Sequence, residues 1–255
     1  MSLTPLRSLA AIASLALASQ AMAATINEVR IDDVGTDNHE YFELAGTPGE
    51  SLDGLFYVVI GDGSSSQGSG VLERVIDLDG LVIPADGFFL AANSGVGTAN
   101  GDITVPSTPV IDLTFGSNTF ENSDNVTHLL VSGLTASAGD DLDDGDTGVL
   151  DTPWTSVIDG FSLLETDPLV EGELLYASQF GLPTIGPDGS FVPGHVFRLP
   201  NETGPFSIGP FGTFTGPTFD TPGVANFVVP EPASFVLIAL GLVSAGAVRM
   251  RRVLG

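Results

Sequence analysis

Apolar residues along this chain fall into short runs, and turn-forming residues separate them. Thr25 to Ile31 opens the series. Glu40-Tyr41-Phe42-Glu43-Leu44 alternates, with Phe42 and Leu44 on one face and Tyr41 and Glu43 on the other. Leu55 to Ile60 is continuously apolar, as a strand covered on both sides would be. Leu81-Val82-Ile83 runs into the turn Pro84-Ala85-Asp86-Gly87, and Phe88 to Ala92 follows. Ile111, Leu113 and Phe115 alternate with Asp112 and Thr114. Thr127–Val131, Val157–Leu164 and His195–Leu199 complete the strand candidates. No segment between the two ends carries a helical period. The 32 Gly and 17 Pro punctuate the chain every few residues. Many short strands with Gly/Pro turns predict an all-β domain, an antiparallel sandwich or barrel.

The ends differ from this body. Arg7, the apolar run Leu9–Ala18 and the small residues Ala21 and Ala23 at the −3 and −1 positions read as a signal helix, residues 1–23, removed by signal peptidase. At the other end, Pro230-Glu231-Pro232 precedes an apolar helix over residues 233–248, followed by Arg249, Arg251 and Arg252. Sixteen apolar residues are slightly short of a bilayer span, and snorkelling arginines ease the mismatch. The terminal basic cluster places that end in the cytoplasm, with the body on the far side of the inner membrane. Residues 24–229 form the body, long enough for one elaborated domain or two small ones.

Charge sharpens the picture. There is no Lys and no Cys. The body holds three basic residues, Arg30, Arg74 and Arg198, against 31 acidic ones, a formal charge of −28. Such a surface repels phosphate backbones, so nucleic acid is excluded as a partner and divalent cations are favoured. The lack of Cys removes disulfides and thiolate metal sites.

The tail resembles the PEP-CTERM sorting signal, on the tripeptide 230–232, the helix with Gly241 and Gly246, and the Arg cluster, in that order. The resemblance implies recognition by exosortase, a membrane transpeptidase. It also implies a transient inner-membrane anchor and delivery to the cell surface or to an exopolysaccharide matrix, with exopolysaccharide or surface proteins as partners. Within the body, Ile26-Asn27-Glu28-Val29, Glu40–Leu44, Ser51-Leu52-Asp53-Gly54 and Ile83–Leu90 resemble the lamin-tail domain pattern, and Asp220-Thr221-Pro222-Gly223-Val224-Ala225-Asn226 resembles its closing segment. That implies an immunoglobulin-like antiparallel β-sandwich with insertions. Residues 93–219 match less clearly and read either as insertions or as a second β module.

Chemistry-bearing motifs are sparse. His39, His128 and His195 lie far apart, with no HExxH spacing and no Gly-x-Ser-x-Gly elbow. The expectation is a non-catalytic protein, with a hydrolase hidden in 93–219 as an alternative. Glu40 and Glu43 fall on opposite faces of a strand and make no carboxylate pair. The run Asp140-Asp141-Leu142-Asp143-Asp144-Gly145-Asp146 is the densest acidic cluster. Its carboxylates Asp140, Asp141, Asp143, Asp144 and Asp146 are the candidate Ca²⁺ ligands of an adhesion or carbohydrate-binding module. As an EF-hand the run fails, because Leu142 stands where a ligand is required.

Overall fold

The computed structural model describes residues 23–227, except 34, 36, 63–68, 97–108, 117–119 and 212–219. The expected helices of the signal peptide and sorting tail, with Ala21 and residues 230–255, lie outside the described residues. Among the described residues no helix is long and apolar enough to cross a membrane.

Among the described residues eleven strands form two sheets. In chain order they are β1 (Thr25–Arg30), β2 (Tyr41–Ala45), β3 (Leu55–Gly61), β4 (Leu72–Asp77), β5 (Phe88–Asn93), β6 (Leu113–Phe115), β7 (Val126–Ser132), β8 (Ser156–Leu163), β9 (Thr184–Ile185), β10 (His195–Arg198) and β11 (Phe206–Ile208). The first sheet runs β11-β10-β1-β2-β5-β6 and the second β4-β3-β7-β8-β9. Strands from the 93–219 segment therefore complete both sheets. The all-β expectation holds, but each sheet is mixed: β5–β6 and β8–β9 pair in parallel. Parallel neighbours need a long crossover, and the connections 94–112 and 164–183 supply it.

The central core lies between the sheets. Ile26, Val29, Phe42, Leu44 and Phe89 of the first sheet face Tyr57, Val59, Leu130, Phe161 and Leu163 of the second. Phe42 stacks on Tyr57 across the interface, ring centroids 3.8 Å apart. His128 is buried among Phe120 and Phe161 and bonds Tyr57 Oη through Nδ1 at 2.8 Å. Burial pushes its pKa down to about 3, so it stays neutral.

Three bulges shift the register, one of them at Ile158 of β8, between the pairs Leu130–Asp159 and Val131–Val157. Ile26 pairs with Leu44 and Glu28 with Glu43, leaving Asn27 as an extra residue in β1. Ile26, Val29 and Ile31 therefore share the inner face, although the first two lie three apart. In β4, Glu73 is the extra residue between the pairs Val59–Arg74 and Ile60–Leu72.

The outer faces are covered as well. Over the second sheet, Val58, Ile60, Leu72, Leu129 and Val131 are buried beneath Leu142, Leu150, Trp154 and Tyr176. The doubly covered strand expected at Leu55–Ile60 is observed. On β2 both faces are buried, Tyr41 and Glu43 included, because residues 220–226 cross above them.

Candidate functional site

The outer face of the first sheet carries a buried polar network where Asp220–Asn226 lies across β10, β1, β2 and β5. Thr221-Pro222-Gly223-Val224 forms a turn closed by Val224 N–H donating to the Thr221 carbonyl at 3.0 Å. Pro stands at its second position and Gly223, with φ +78°, at its third, as a type II turn requires. The Gly223 N–H donates to Glu43 Oε2 at 2.6 Å.

Four donors surround Glu28. Its Oε1 accepts from Tyr41 Oη at 2.6 Å and the Thr221 N–H at 2.9 Å, and it contacts His195 Nε2 at 2.8 Å. Its Oε2 accepts from Thr221 Oγ1 at 2.6 Å. Asp220 meets Arg30 Nη2 with both oxygens, at 2.7 and 2.8 Å, and lies 3.0 Å from His195 Nδ1. Burial alone would favour loss of the Arg30 charge, but Asp220 beside it holds the guanidinium above its ordinary value. Burial, with the Glu28 charge alongside, pushes Glu43 well above the usual carboxylate range. Asn226 closes the strap by donating to the Arg198 carbonyl at 2.9 Å. Arg198 in turn joins the sheets: it grips Asp159 of β8 at 2.7 Å and lies 3.9 Å over the Phe206 ring.

Glu28, His195 and Asp220 bring one ligand atom each within 4.8 Å. Arg30 already neutralises Asp220, and Gly209 backs so closely on His195 Nδ1 that a Cβ there would lie 1.8 Å away. The cluster is thus built around the Arg30–Asp220 ion pair, with the His195 ring packed between Asp220 and Glu28. Sequence reading quoted these segments as a family pattern and assigned them no site. The available signal was Glu28 and Arg30, two charges flanking Val29 inside an expected strand.

In the acidic run 140–146 the carboxylates of Asp140, Asp141, Asp143 and Asp146 accept backbone N–H groups, and Asp144 is exposed. Asp143 alone among its aspartates is buried. It accepts from Thr147 N–H at 2.8 Å, Thr147 Oγ1 at 2.6 Å, Gly148 N–H at 2.7 Å and Tyr176 Oη at 3.1 Å. Burial opposes its ionisation, but these donors outweigh that and hold Asp143 below the ordinary carboxylate range. Asp140 accepts from Ser137 N–H, Asp141 from Asp143 N–H, and Asp146 from Ser69 N–H. A different acidic convergence, Asp124, Glu165 and Glu173, brings carboxylate oxygens within 4.8 Å.

At the leader junction, Ala23 is exposed and Ala24 buried, and the Ala24 N–H donates to Glu50 Oε1 at 2.8 Å. At the other junction the described chain ends at Phe227, one residue beyond the strap. No curated protein and no solved structure matches the chain. A family model does match its end: residues 228–252, starting just past the strap and ending at Arg252, are similar to the PEP-CTERM protein-sorting motif.

Proposed function

We infer that this chain is a non-catalytic, exported β-sandwich of lamin-tail, immunoglobulin-like type. Exosortase sorts it to the cell surface or exopolysaccharide matrix, where its role is structural or interactive. The observation that carries the reading is the sorting motif at 228–252, beginning directly after a folded strap. The lamin-tail part is supported by how the resembling segments gather. Ile26–Val29 and Glu40–Leu44 pair as neighbours, Phe88–Leu90 continues the sheet, and 220–226 seals it. Non-catalytic character is supported by the three imidazoles, all buried, with His39 held by Asp33, His128 in the core and His195 inside the ion-pair network. Replacing Pro230-Glu231-Pro232 by three alanines in the native host is expected to leave export intact and the protein uncleaved in the inner membrane. A triple variant that is still trimmed and reaches the surface would overturn the sorting reading.

A calcium-stabilised module is the rival, favoured by the convergence of Asp124, Glu165 and Glu173. Calcium at a hundredfold excess over its Kd would add about 2.7 kcal/mol, or about 5–10 °C in Tm for a body of this size. Melting with and without EDTA decides: a shift of that size favours calcium, and coincident melts favour the plain sandwich.

A further inference from the structure

A cavity of about 630 Å³ opens at one end of the sandwich, within the range of pockets that hold small ligands. Four chain segments build it: Asp32 just after β1, Asn122 ahead of β7, the turn from Asp188 to Val192 ahead of β10, and Phe211 after β11. Asp32 touches the strap network through its carbonyl, which accepts from Arg30 Nη1 at 2.8 Å, and none of the lining residues belongs to the sorting tail.

Its walls are organised. The turn is pinned by reciprocal backbone bonds, Asp188 N–H to the Phe191 carbonyl at 2.9 Å and Phe191 N–H to the Asp188 carbonyl at 3.2 Å. It holds Phe191 into solvent at 73 % exposure, while Phe211 across the cavity is 47 % exposed. Gly194 forms the seat between walls: a Cβ there would come within 2.9 Å of the Phe211 ring and 3.3 Å of Asp32 Cβ. Ile31 N–H bonds the Gly194 carbonyl at 2.9 Å, fixing the Asp32 backbone against the same residue. Asn122 is oriented by donating to Asp37 Oδ2 at 3.0 Å.

Exposed rings cost free energy unless something covers them. The polar groups beside them are carboxylates, an amide and the Ser190 hydroxyl, and among the described residues none that lines the cavity is basic. An anionic ligand is therefore rejected, both locally and by the body's charge of −28. What remains is a ligand with apolar faces for the rings and hydroxyls at its edges. We propose that this cavity binds a neutral saccharide, with pyranose C–H faces on Phe191 and Phe211 and hydroxyls on Asp32, Asp188 and Asn122. The surroundings of the Asp32 carboxyl suit a hydroxyl-bearing ligand. Burial, then the hydrogen bond and charge of Asp37, raise it to about 7, so the Asp32–Asp37 pair retains a proton near neutrality. A protonated carboxyl donates as well as accepts, as a sugar hydroxyl does.

The test uses the full-length protein in mild detergent on an array of short neutral oligosaccharides (β-glucans, mannans and galactans). Uronic-acid, sulfated and amino-sugar chains serve as comparisons. Calorimetry then follows the best ligand. Saturable binding to neutral chains is expected, with Phe191→Ala weakening it about tenfold or more. Because Phe191 is exposed, its removal should leave Tm unchanged, so lost binding reports lost contact rather than unfolding. Gly194→Ala, which crowds both walls, should also weaken binding. No neutral ligand, binding confined to acidic or amino sugars, or an unchanged affinity in Phe191→Ala would each overturn the proposal. None of these results depends on where the protein is sorted.

Discussion

The two sheets of this sandwich are both sealed on their outer faces, by opposite chemistry. Over the second sheet the cover is apolar: Leu142, Leu150 and Trp154 lie on Val58, Ile60 and Val131, with Phe180 packed edge-on to Trp154. Over the first sheet the cover is the 220–226 strap, whose buried network joins the ionisable groups Glu28, Arg30, His195 and Asp220, with an apolar patch of Tyr41, Leu90, Ala92 and Val96 beside it. An apolar cover is non-directional, so its residues can relax into small losses. A buried charge network has one arrangement in which every group is satisfied, and removing one member strands the others. The same job of excluding water is done tolerantly on one side and with strict positioning on the other.

The sharpest way to break the contrast is Asp220→Ala. It leaves Arg30 buried beside Glu28 and His195 without its bidentate partner, and should cost about 3–5 kcal/mol in denaturant unfolding. Leu142→Ala, on the apolar side, should cost less, about 2–4 kcal/mol, since neighbouring side chains can close part of the space. If the two costs come out equal, the contrast between covers is wrong. Thr221→Val keeps the shape of the strap and removes one donor to the Glu28 carboxylate, for roughly 1.5–2 kcal/mol. Combined with Asp220→Ala it should add less than its own cost, because both act on one network.

A further effect is one of pH, at Asp32, whose carbonyl accepts from Arg30 Nη1 at the margin of the strap network. Asp32 carries a folded pKa of about 7 against an ordinary value of 3.8. A raised acid pKa stabilises the fold at low pH, and that contribution falls away as pH rises from about 4 through 7. Asp32→Asn should therefore flatten the fall in Tm over that window and melt above the wild type at pH 7.5. An unchanged slope would show that Asp32 is ionised throughout.

Much of the sandwich is legible as alternation. β1, β2, β3, β5, β6, β7, β8 and β10 coincide with expected runs to within two residues at either end, and continuous apolarity marked β3 as doubly covered. β4 escaped because its bulge at Glu73 puts Leu72 and Val75 on one face, three residues apart, which breaks the period of two. β9 and β11 are too short to show a period. Leu81-Val82-Ile83 looked like a strand but forms only an isolated bridge, Val82 to Ser51. The strap network was illegible for another reason. Glu28, Arg30 and Glu43 look like solvated residues in sequence, and their partners lie as far as 193 residues away. Pattern reads local periodicity, and no local window contains both halves of such a pair. The cavity joins Asp32 to Phe211 across a similar span and was missed for the same reason.

That separation also orders events in time. A chain made or exported from its N-terminus has β1 available from the start, yet Glu28 and Arg30 gain Thr221 and Asp220 only when nearly all the sequence has followed. Contacts of such long loop closure form late, and until they form Arg30 lacks its carboxylate partner and Glu28 lacks two of its four donors. The fold thus registers whether the chain is complete. A product that stops short of residue 220 lacks the lock on its first strand, and proteases can distinguish it from the finished molecule.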